Sequence, residues 1–198
     1  MAWPNVSEYQ DAVLNSKLNF DEPELKAGEP ELDGQGFPRP RTGQFACVFR
    51  IASGQRDWAV KCFTQEVKDL QERYAAIDEY ISPLKLPYMV DFDYLPKGIR
   101  VGGQWYPILK MEWVKGELLS QYIEHHLSHS IDLQQLALRW IEMIKTLQSN
   151  SIAHGDLQER NVLVVNGQLK LVDYDGMFVP ALSGRPSHEI GHRNYQHP

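Results

Sequence analysis

The sequence HGDLQERNVLVVNGQLKLVDYDG, residues 154 to 176, contains the clearest structural signal in this chain of 198 residues. Two apolar, strand-like runs, NVLVV and QLKLV, lie on either side of Asn166-Gly167. Asn-Gly is the strongest short-range signal for a β-hairpin, because both residues tolerate the positive φ that a two-residue type I′ turn requires. The stretch therefore predicts a rigid two-stranded ribbon.

A two-residue turn also fixes the register of the ribbon. Residue 165 then faces 168 and 161 faces 172, so Asn161 and Asp173 lie side by side at the open end, about 5 to 6 Å apart. Asp156 precedes Asn161 in the loop that enters the same end. Taken singly, each of these residues is also consistent with capping a local turn. As a set, two carboxylates and an amide favour a Mg²⁺ site for a nucleoside triphosphate.

Composition and length allow a real hydrophobic core, in one large lobe or two small ones. The two cysteines, Cys47 and Cys62, favour a reduced, cytoplasmic protein over a disulfide-rich secreted one. No apolar run reaches the length of a membrane span, and the N-terminus lacks the layout of a signal peptide. The basic residues are scattered, so the sequence gives no indication of a nucleic-acid-binding face.

The formal charge of −6 is concentrated in residues 1–36, where there are eight acidic residues and only two basic ones, Lys17 and Lys26. We interpret this segment as a solvated acidic N-terminal extension, with docking to a basic partner as the alternative. The acids are Glu8, Asp11, Asp21, Glu22, Glu24, Glu29, Glu31 and Asp33.

Residues 37–114 are predicted to form a first lobe of sheet with one helix. FACVFRI and WAVKCF flank a turn-prone ASGQRD and predict a hairpin, with Lys61 alone between apolar neighbours on its second strand. EVKDLQERYAAIDEYI carries an amphipathic stripe and predicts a helix that ends before Pro83. MVDFDYL, GIRV and WYPILKMEWV predict further strands, with Gly102-Gly103 as a turn.

Residues 115–198 are predicted to form a second lobe that begins as helix. LLSQYIEHHL is helical in pattern, and DLQQLALRWIEMIKTLQSN places its apolar residues on one face. The 154–176 ribbon follows. The sequence therefore predicts an α+β protein of two lobes.

The spacing H-x-D-x-x-x-x-N, followed by a hairpin and D-x-x-G, resembles the catalytic and metal-binding loops of the protein-kinase superfamily, in an atypical, bacterial-looking form. WAVK resembles the strand motif with the phosphate-binding lysine, GQFACVF the second half of the glycine-rich loop, and KMEWVKGEL the hinge between lobes. GHRNYQHP resembles the end of an activation segment. The resemblance implies the two-lobed protein-kinase-like fold, with a mainly helical second lobe that is shorter than the family pattern, which fits either a truncated chain or a minimal kinase.

The same resemblance implies ATP and Mg²⁺ as cofactors and assigns roles to individual residues. Asp156 is the implied base, Lys61 the phosphate-binding lysine, and Asn161 with Asp173 the Mg²⁺ ligands. Glu72 is the favoured acidic partner of Lys61, with Asp78 and Glu79 as alternatives. The other implied nucleotide contacts are Gly43, Phe45, Ala46, Val48, Ala59, Met111 as gatekeeper, the backbones of Glu112 and Val114, Gln158 and Leu163.

Several positions depart from the family pattern. Only Gly43 remains of the three loop glycines, and Gly155 replaces the arginine that usually reads a phosphorylated activation loop. Gln158 stands in place of a lysine that touches the transferred phosphate, which predicts a slow enzyme. Asp175 displaces the glycine of the D-F-G pattern, and His192 replaces a threonine typical of Ser/Thr-directed members.

The resemblance leaves three functions open. The favoured one is a protein serine/threonine kinase that acts on a protein substrate. The second is a pseudokinase that regulates a partner, indicated by the altered glycine loop and Gln158. The third is a small-molecule kinase of the aminoglycoside or choline type, which shares HGD and a distant asparagine but lacks an activation segment like GHRNYQHP.

Overall fold

The computed structural model describes residues 2–43, 45–54, 56–66 and 68–187. The chain divides into two compact units. The first comprises the chain as far as Glu72 together with Asp91–Trp113, and the second comprises Arg73–Val90 and the chain from Val114 onward.

The first unit is built on a six-stranded antiparallel sheet. Five strands lie in the order β1-β3-β4-β6-β5, and β2 pairs with the edge of β3. The bounds are β1 Glu29–Pro30, β2 Arg41–Thr42, β3 Ala46–Ser53, β4 Arg56–Phe63, β5 Phe92–Val101 and β6 Gln104–Glu112. The predicted hairpin is confirmed as β3 and β4. The runs MVDFDYL and GIRV, predicted as separate strands, form the single strand β5 with a register shift between Leu95 and Ile99.

Three short helices precede the sheet, and they begin in the acidic segment. They are α1 Val6–Leu14, α2 Ser16–Asn19 and α3 Pro23–Ala27. Helix α1 begins after Asn5, whose side chain accepts from the Glu8 amide while the Glu8 side chain accepts from the Asn5 amide. This reciprocal capping box stabilises the start of a short helix.

The interpretation of residues 1–36 as a solvated lead-in is wrong, because their apolar side chains belong to the core of the first unit. Tyr9, Val13, Phe20 and Leu25 are fully buried. They pack in one cluster with the strand residues Phe49, Ile51, Trp58, Val60, Cys62, Ile99 and Ile108. The Tyr9 hydroxyl also donates to the Phe63 carbonyl at 2.7 Å. The segment therefore covers one face of the sheet, although none of its eight acidic residues is fully buried.

A buried lysine on β6, Lys110, forms ion pairs between the sheet and this segment. The Lys110 side chain is only 4% exposed, and its Nζ lies 2.5 Å from Glu24 and 3.2 Å from Glu22. It also lies 4.0 Å from the centre of the Trp58 ring. Burial acts to lower the pKa of Lys110, but the hydrogen bonds to Glu24 and Glu22 outweigh it and raise the pKa. A buried charge of this kind is tolerated only with such partners.

The second unit combines helices with a small sheet. Helix α4, Leu70–Ile81, contributes its residues from Arg73 onward, and a 3₁₀ turn, Ser82–Leu84, follows it. Strand β7, Glu117–Leu118, pairs with the ribbon of β8, Val162–Val165, and β9, Gln168–Leu171. Helices α5, Leu119–His125, and α6, Ser130–Ser149, come between β7 and β8, and a second 3₁₀ turn spans Pro180–Leu182. Together the two units confirm the predicted α+β fold of a sheet lobe followed by a mainly helical one.

Within the described parts of the chain, none of the helices has both the length and the apolar character needed to cross a membrane.

Candidate active site

The β8-β9 ribbon has the register that its Asn-Gly turn predicts. Val165 pairs with Gln168 and Val162 with Leu171. Asn166 and Gly167 both have positive φ, at 49° and 75°. Counting outward, the Val172 amide donates to the Asn161 carbonyl at 3.0 Å. The ribbon therefore brings Asn161 next to the residue that precedes Asp173, as predicted.

The loop that enters this ribbon folds Asp156, Gln158 and Asn161 around one carboxylate. Asp156 Oδ2 accepts from the Asn161 side-chain amide at 2.8 Å and from the Gln158 side-chain amide at 2.6 Å. The Asn161 amide nitrogen also donates to the Asp156 carbonyl at 2.9 Å. These hydrogen bonds fix the orientation of the Asp156 carboxylate.

The orientation of the Asn161 side chain and the backbone conformation of Asp173 bear on whether these residues fit a divalent cation. Because the Asn161 amide nitrogen faces Asp156, the amide oxygen lies on the other side of that group, and it is the atom that a hard cation would take. Asp173 has φ +66°, an uncommon conformation for a non-glycine residue that costs about 1–3 kcal/mol and is concentrated at functional sites. Asn161 and Asp173 thus carry oxygen donors of the kind that Mg²⁺ prefers, and their binding of the ion stays a prediction.

Tyr174 and Asp175, which follow Asp173, are held in place by hydrogen bonds. Tyr174 is fully buried, and its hydroxyl donates to the Leu171 carbonyl at 3.0 Å and accepts from the Val90 amide at 2.8 Å. The Asp175 carboxylate accepts from the Tyr74 hydroxyl. The aspartate that displaces the expected glycine therefore has a structural partner.

Gly155 stands where the resemblance leads one to expect an arginine, and its backbone explains the difference. It has φ +81°, and a Cβ built there would collide with the Gly176 carbonyl and its Cα. Positive φ and close backbone approach are the two conditions that select glycine. At this position a side chain of any kind is excluded by the neighbouring turn.

We therefore expect Gly155→Ala to lose more stability than a substitution at a glycine that has positive φ in open space. Gly36 is the matched control, since it has φ +86° and a Cβ added to it would meet nothing within 4 Å. Gly36→Ala should cost about 1–2 kcal/mol for backbone strain alone. Gly155→Ala should cost about 1–3 kcal/mol more for the collision. Urea denaturation of both variants checks this, and equal losses would contradict the packing of Gly155 on Gly176.

His154 anchors the start of the loop from inside the second unit. It is 3% exposed, and its Nε2 donates to the Val172 carbonyl at 3.0 Å. Its ring meets the Tyr174 ring edge-on, with centroids 6.2 Å apart. Burial lowers the pKa of His154, although the Val172 carbonyl and the charges of Asp173 and Asp156 act to raise it. The buried ring is therefore neutral near pH 7.

This lowered pKa predicts an acid-sensitive fold. Since the folded pKa of His154 lies below the ordinary 6.5, its contribution is complete above that value and is lost as the pH falls toward the folded pKa. Between about pH 7.5 and about pH 5.5, His154→Gln should lose less stability than the unmodified protein. Urea denaturation of both proteins at both pH values measures the difference, and identical pH dependence in the two would contradict it.

Lys61 lies on β4 in the first unit, on the face opposite the N-terminal helices. Antiparallel pairing places Val48 and Leu109 beside Lys61, and Met111 beside Ala59. Directly paired residues share a face, and alternate residues of one strand do so too. Val48, Ala59, Lys61 and Met111 therefore share one face of the sheet, as the implied nucleotide site requires.

The glycine-loop residues form a tight connection between β2 and β3. The Gly43 amide donates to the Ala46 carbonyl at 2.8 Å, and Phe45 is partly exposed at 39%. Arg41, which stands at the first glycine position, lies with its guanidinium carbon 4.4 Å from the centre of the Trp113 ring. Gln44 lies outside the described residues.

The remaining residues predicted to contact the nucleotide are Glu112, Val114 and Leu163. The Glu112 amide donates to the Asp91 carbonyl at 2.9 Å, so only the Glu112 carbonyl is a candidate for the adenine edge. Val114 is the first residue of its segment in the second unit. Leu163 lies on β8 opposite Lys170.

The acidic partner of Lys61 stays a prediction. Glu72 lies in the first turn of α4. The Asp78 carboxylate accepts a hydrogen bond from Ser82, and Glu79 is exposed on the same helix. The predicted activation-segment residues GHRNYQHP, including His192 and Pro198, lie outside the described residues.

Arg73 and Tyr74 at the start of α4 contact the Asp173–Gly176 turn, and little in the sequence indicates this. The apolar stripe of the helix placed Tyr74 inside, but nothing in the pattern marked the adjacent Arg73 as buried. Only the tertiary structure reveals these contacts.

The chain matches the family model of the protein kinase domain over residues 42–198. Because this match covers most of the chain, the protein belongs to the protein kinase domain family. No curated protein matches the sequence. Family membership supports a kinase-like phosphotransferase function.

Proposed function

We propose that the protein is an ATP- and Mg²⁺-dependent serine/threonine protein kinase that transfers the γ-phosphate to a hydroxyl of a protein substrate. One observation carries the proposal. The Asn161 side-chain amide donates to the Asp156 carboxylate at 2.8 Å, while the Asn161 backbone pairs with Val172 beside Asp173. The candidate base and one candidate metal ligand are thus hydrogen-bonded to each other, and the second candidate ligand, Asp173, directly follows the residue that pairs with Asn161.

In this mechanism Asp156 accepts the proton as the substrate hydroxyl oxygen forms its bond to the γ-phosphorus and the bond to the bridging oxygen of ADP breaks. The hydrogen bonds from Asn161 and Gln158 hold the carboxylate in its orientation, so no reorganisation is needed at that moment. Asn161 and Asp173 would hold Mg²⁺, which supplies positive charge to the phosphate oxygens. Lys61 would hold the α- and β-phosphates.

Gln158 makes the proposed enzyme a slow one. Its amide donates to Asp156 at 2.6 Å, so it orients the base with a neutral group. A lysine at this place would add a full positive charge near the transferred phosphate. The same feature favours a second candidate, a nucleotide-binding regulatory module without transfer activity.

One assay distinguishes these functions. The purified protein is incubated with labelled ATP and Mg²⁺, alone, with a generic protein substrate, and with small alcohols. We expect slow transfer to serine or threonine of the protein substrate. Transfer to small alcohols alone would replace the proposal with a small-molecule kinase, and nucleotide-dependent thermal stabilisation without any transfer would replace it with the regulatory module.

We also expect activity that does not depend on phosphorylation of the activation segment. Gly155 provides no cation to read a phosphate, and its packing on Gly176 excludes one at that position. Phosphatase-treated protein and the Ser183→Ala and Ser187→Ala variants should therefore keep the activity of the untreated protein. A large rate increase after phosphorylation at Ser183 or Ser187 would refute this expectation.

The proposed setting is the cytoplasm. Cys47 and Cys62 are unpaired by disulfides and fully buried, although they face each other across β3 and β4. Free thiols in this arrangement support a reducing compartment.

A further inference from the structure

A buried arginine of α4, Arg73, donates hydrogen bonds to the backbone of the turn that follows Asp173. Arg73 is 4% exposed. Its Nε donates to the Asp175 carbonyl and its Nη2 to the Met177 carbonyl, each at 3.1 Å. These two carbonyls lie on either side of Gly176. A guanidinium makes two such bonds with fixed relative geometry, so it sets the position and the direction of this backbone.

The neighbouring Tyr74 holds the side chain of the same turn. Tyr74 is 1% exposed, and its hydroxyl donates to the Asp175 carboxylate. Consecutive residues of one helix thus contact the backbone and the side chain of Asp175. This accounts for an aspartate where the family pattern has glycine, because glycine would leave the Tyr74 hydroxyl without this acceptor.

The turn is also packed from the side of the catalytic loop. The space beside Gly155 is filled by the Gly176 backbone. Just beyond, Ala153 and Phe178 form an antiparallel bridge, with N–H···O distances of 3.1 and 2.7 Å. Residues 175–178 therefore lie between α4 and the start of the catalytic loop, and both sides fix the backbone.

We propose that Arg73 and Tyr74 are positioning residues that hold the Asp173–Gly176 turn in its metal-binding arrangement, and that Asp175 is their anchor and not a metal ligand. The inference rests on the proposed function, since it concerns the metal that Asp173 would bind. It also gives a physical basis for activity without a phosphorylated activation segment. The turn is held by hydrogen bonds already present in the fold.

The first test compares two tyrosines of the same helix. Tyr74→Phe removes the hydroxyl that reaches Asp175. Tyr80→Phe is the matched control, because the Tyr80 hydroxyl donates to the Asn150 carbonyl at 2.9 Å, away from the turn. Mn²⁺ is titrated into each protein in the presence of ADP, and bound Mn²⁺ is measured by the loss of its paramagnetic signal. We expect Tyr74→Phe to weaken Mn²⁺ binding by about tenfold, as loss of a supporting hydrogen bond behind a metal ligand commonly does. Tyr80→Phe should stay within about twofold.

Asp175 provides the second test from the other end of the bond. Asp175→Ala should match Tyr74→Phe, and the double variant should show little further loss, because both remove one interaction. Asp175→Asn keeps an oxygen acceptor for the Tyr74 hydroxyl and should bind Mn²⁺ within about twofold of the unmodified protein. Asp173→Asn should lose far more. If Asp175→Asn weakens Mn²⁺ binding as strongly as Asp173→Asn, then Asp175 is a ligand and the proposal is overturned.

Hydrogen exchange of the backbone amides at residues 175–178 gives a readout that needs neither metal nor activity. Faster exchange there in Tyr74→Phe and in Arg73→Gln, but not in Tyr80→Phe, supports the positioning role. Equal exchange in all of these proteins overturns it. Absence of both phosphate transfer and Mn²⁺ binding in the unmodified protein would instead count against the proposed function. An unmodified protein that binds Mn²⁺, with Tyr74→Phe indistinguishable from Tyr80→Phe, would remove only the inference about Arg73 and Tyr74.

Discussion

Asp156→Asn is expected to lower the rate of phosphate transfer by about a thousandfold, within the range that loss of a general base produces. The asparagine keeps the size of Asp156, and its side-chain oxygen still accepts from the amides of Asn161 and Gln158. It cannot take up the proton of the substrate hydroxyl. The fold and the affinity for nucleotide should therefore be preserved while the chemical step is lost.

The measurement is kcat with a protein substrate, together with the affinity for ADP. Glu142→Gln provides the control, because it removes an acid from an exposed position on α6 and should leave kcat and the ADP affinity unchanged. If Asp156→Asn kept more than about a tenth of the activity, another group would have to be the base. If it lost ADP affinity in proportion to kcat, Asp156 would act in binding.

Phe20→Ala is expected to destabilise the protein by about 3–5 kcal/mol, the usual cost of removing a fully buried phenylalanine. Phe20 is 0% exposed and forms a bridge with Ile99 of β5. Its loss would open a cavity between the N-terminal segment and the sheet. The change should appear in urea denaturation as a lower midpoint with an unchanged slope.

Leu18→Ala is the matched control, two residues away on the same segment. Leu18 is 69% exposed, and its truncation should change the free energy of unfolding by no more than about 0.5 kcal/mol. Similar small effects for both variants would mean that the segment does not contribute to the core in solution.

The ribbon of β8 and β9 was predictable because its information is local. Asn166-Gly167 specifies the turn, the turn specifies the register, and the register brings Asn161 to the residue before Asp173. The sheet face on which Lys61 lies was predictable for a similar reason, since alternation along one strand places Lys61 on the same face as Ala59. In both cases a few neighbouring residues determine the geometry.

The burial of the N-terminal segment was not predicted, although its sequence contained a usable signal. Tyr9, Ala12 and Val13 have the three- and four-residue spacing of a buried helix face, but the many acids around them led to an interpretation based on charge. Charged residues show which side of a short helix faces water, but the apolar side of the same helix still has to be buried against other residues.

The contacts of Arg73 and Tyr74 with the 173–176 turn have no local signal. They join residues about a hundred positions apart in the chain, and a buried arginine is indistinguishable by type from one on a helix surface. Gly155 is an intermediate case. Its departure from the family pattern is visible in the sequence, but the Gly176 backbone that requires it is seen only in the structure.

Because residues 2–27 pack against the sheet, the homologous domain and the folding domain have different boundaries. The homologous domain, recognised by its match to the protein kinase domain family, begins at residue 42. The cooperative folding unit begins earlier, because a fragment cut at residue 42 would expose Trp58, Val60 and Cys62, which are now buried under Tyr9 and its neighbours. Evolutionary boundaries drawn by homology would therefore give a poor expression fragment of this protein, prone to aggregate through the uncovered face of its sheet.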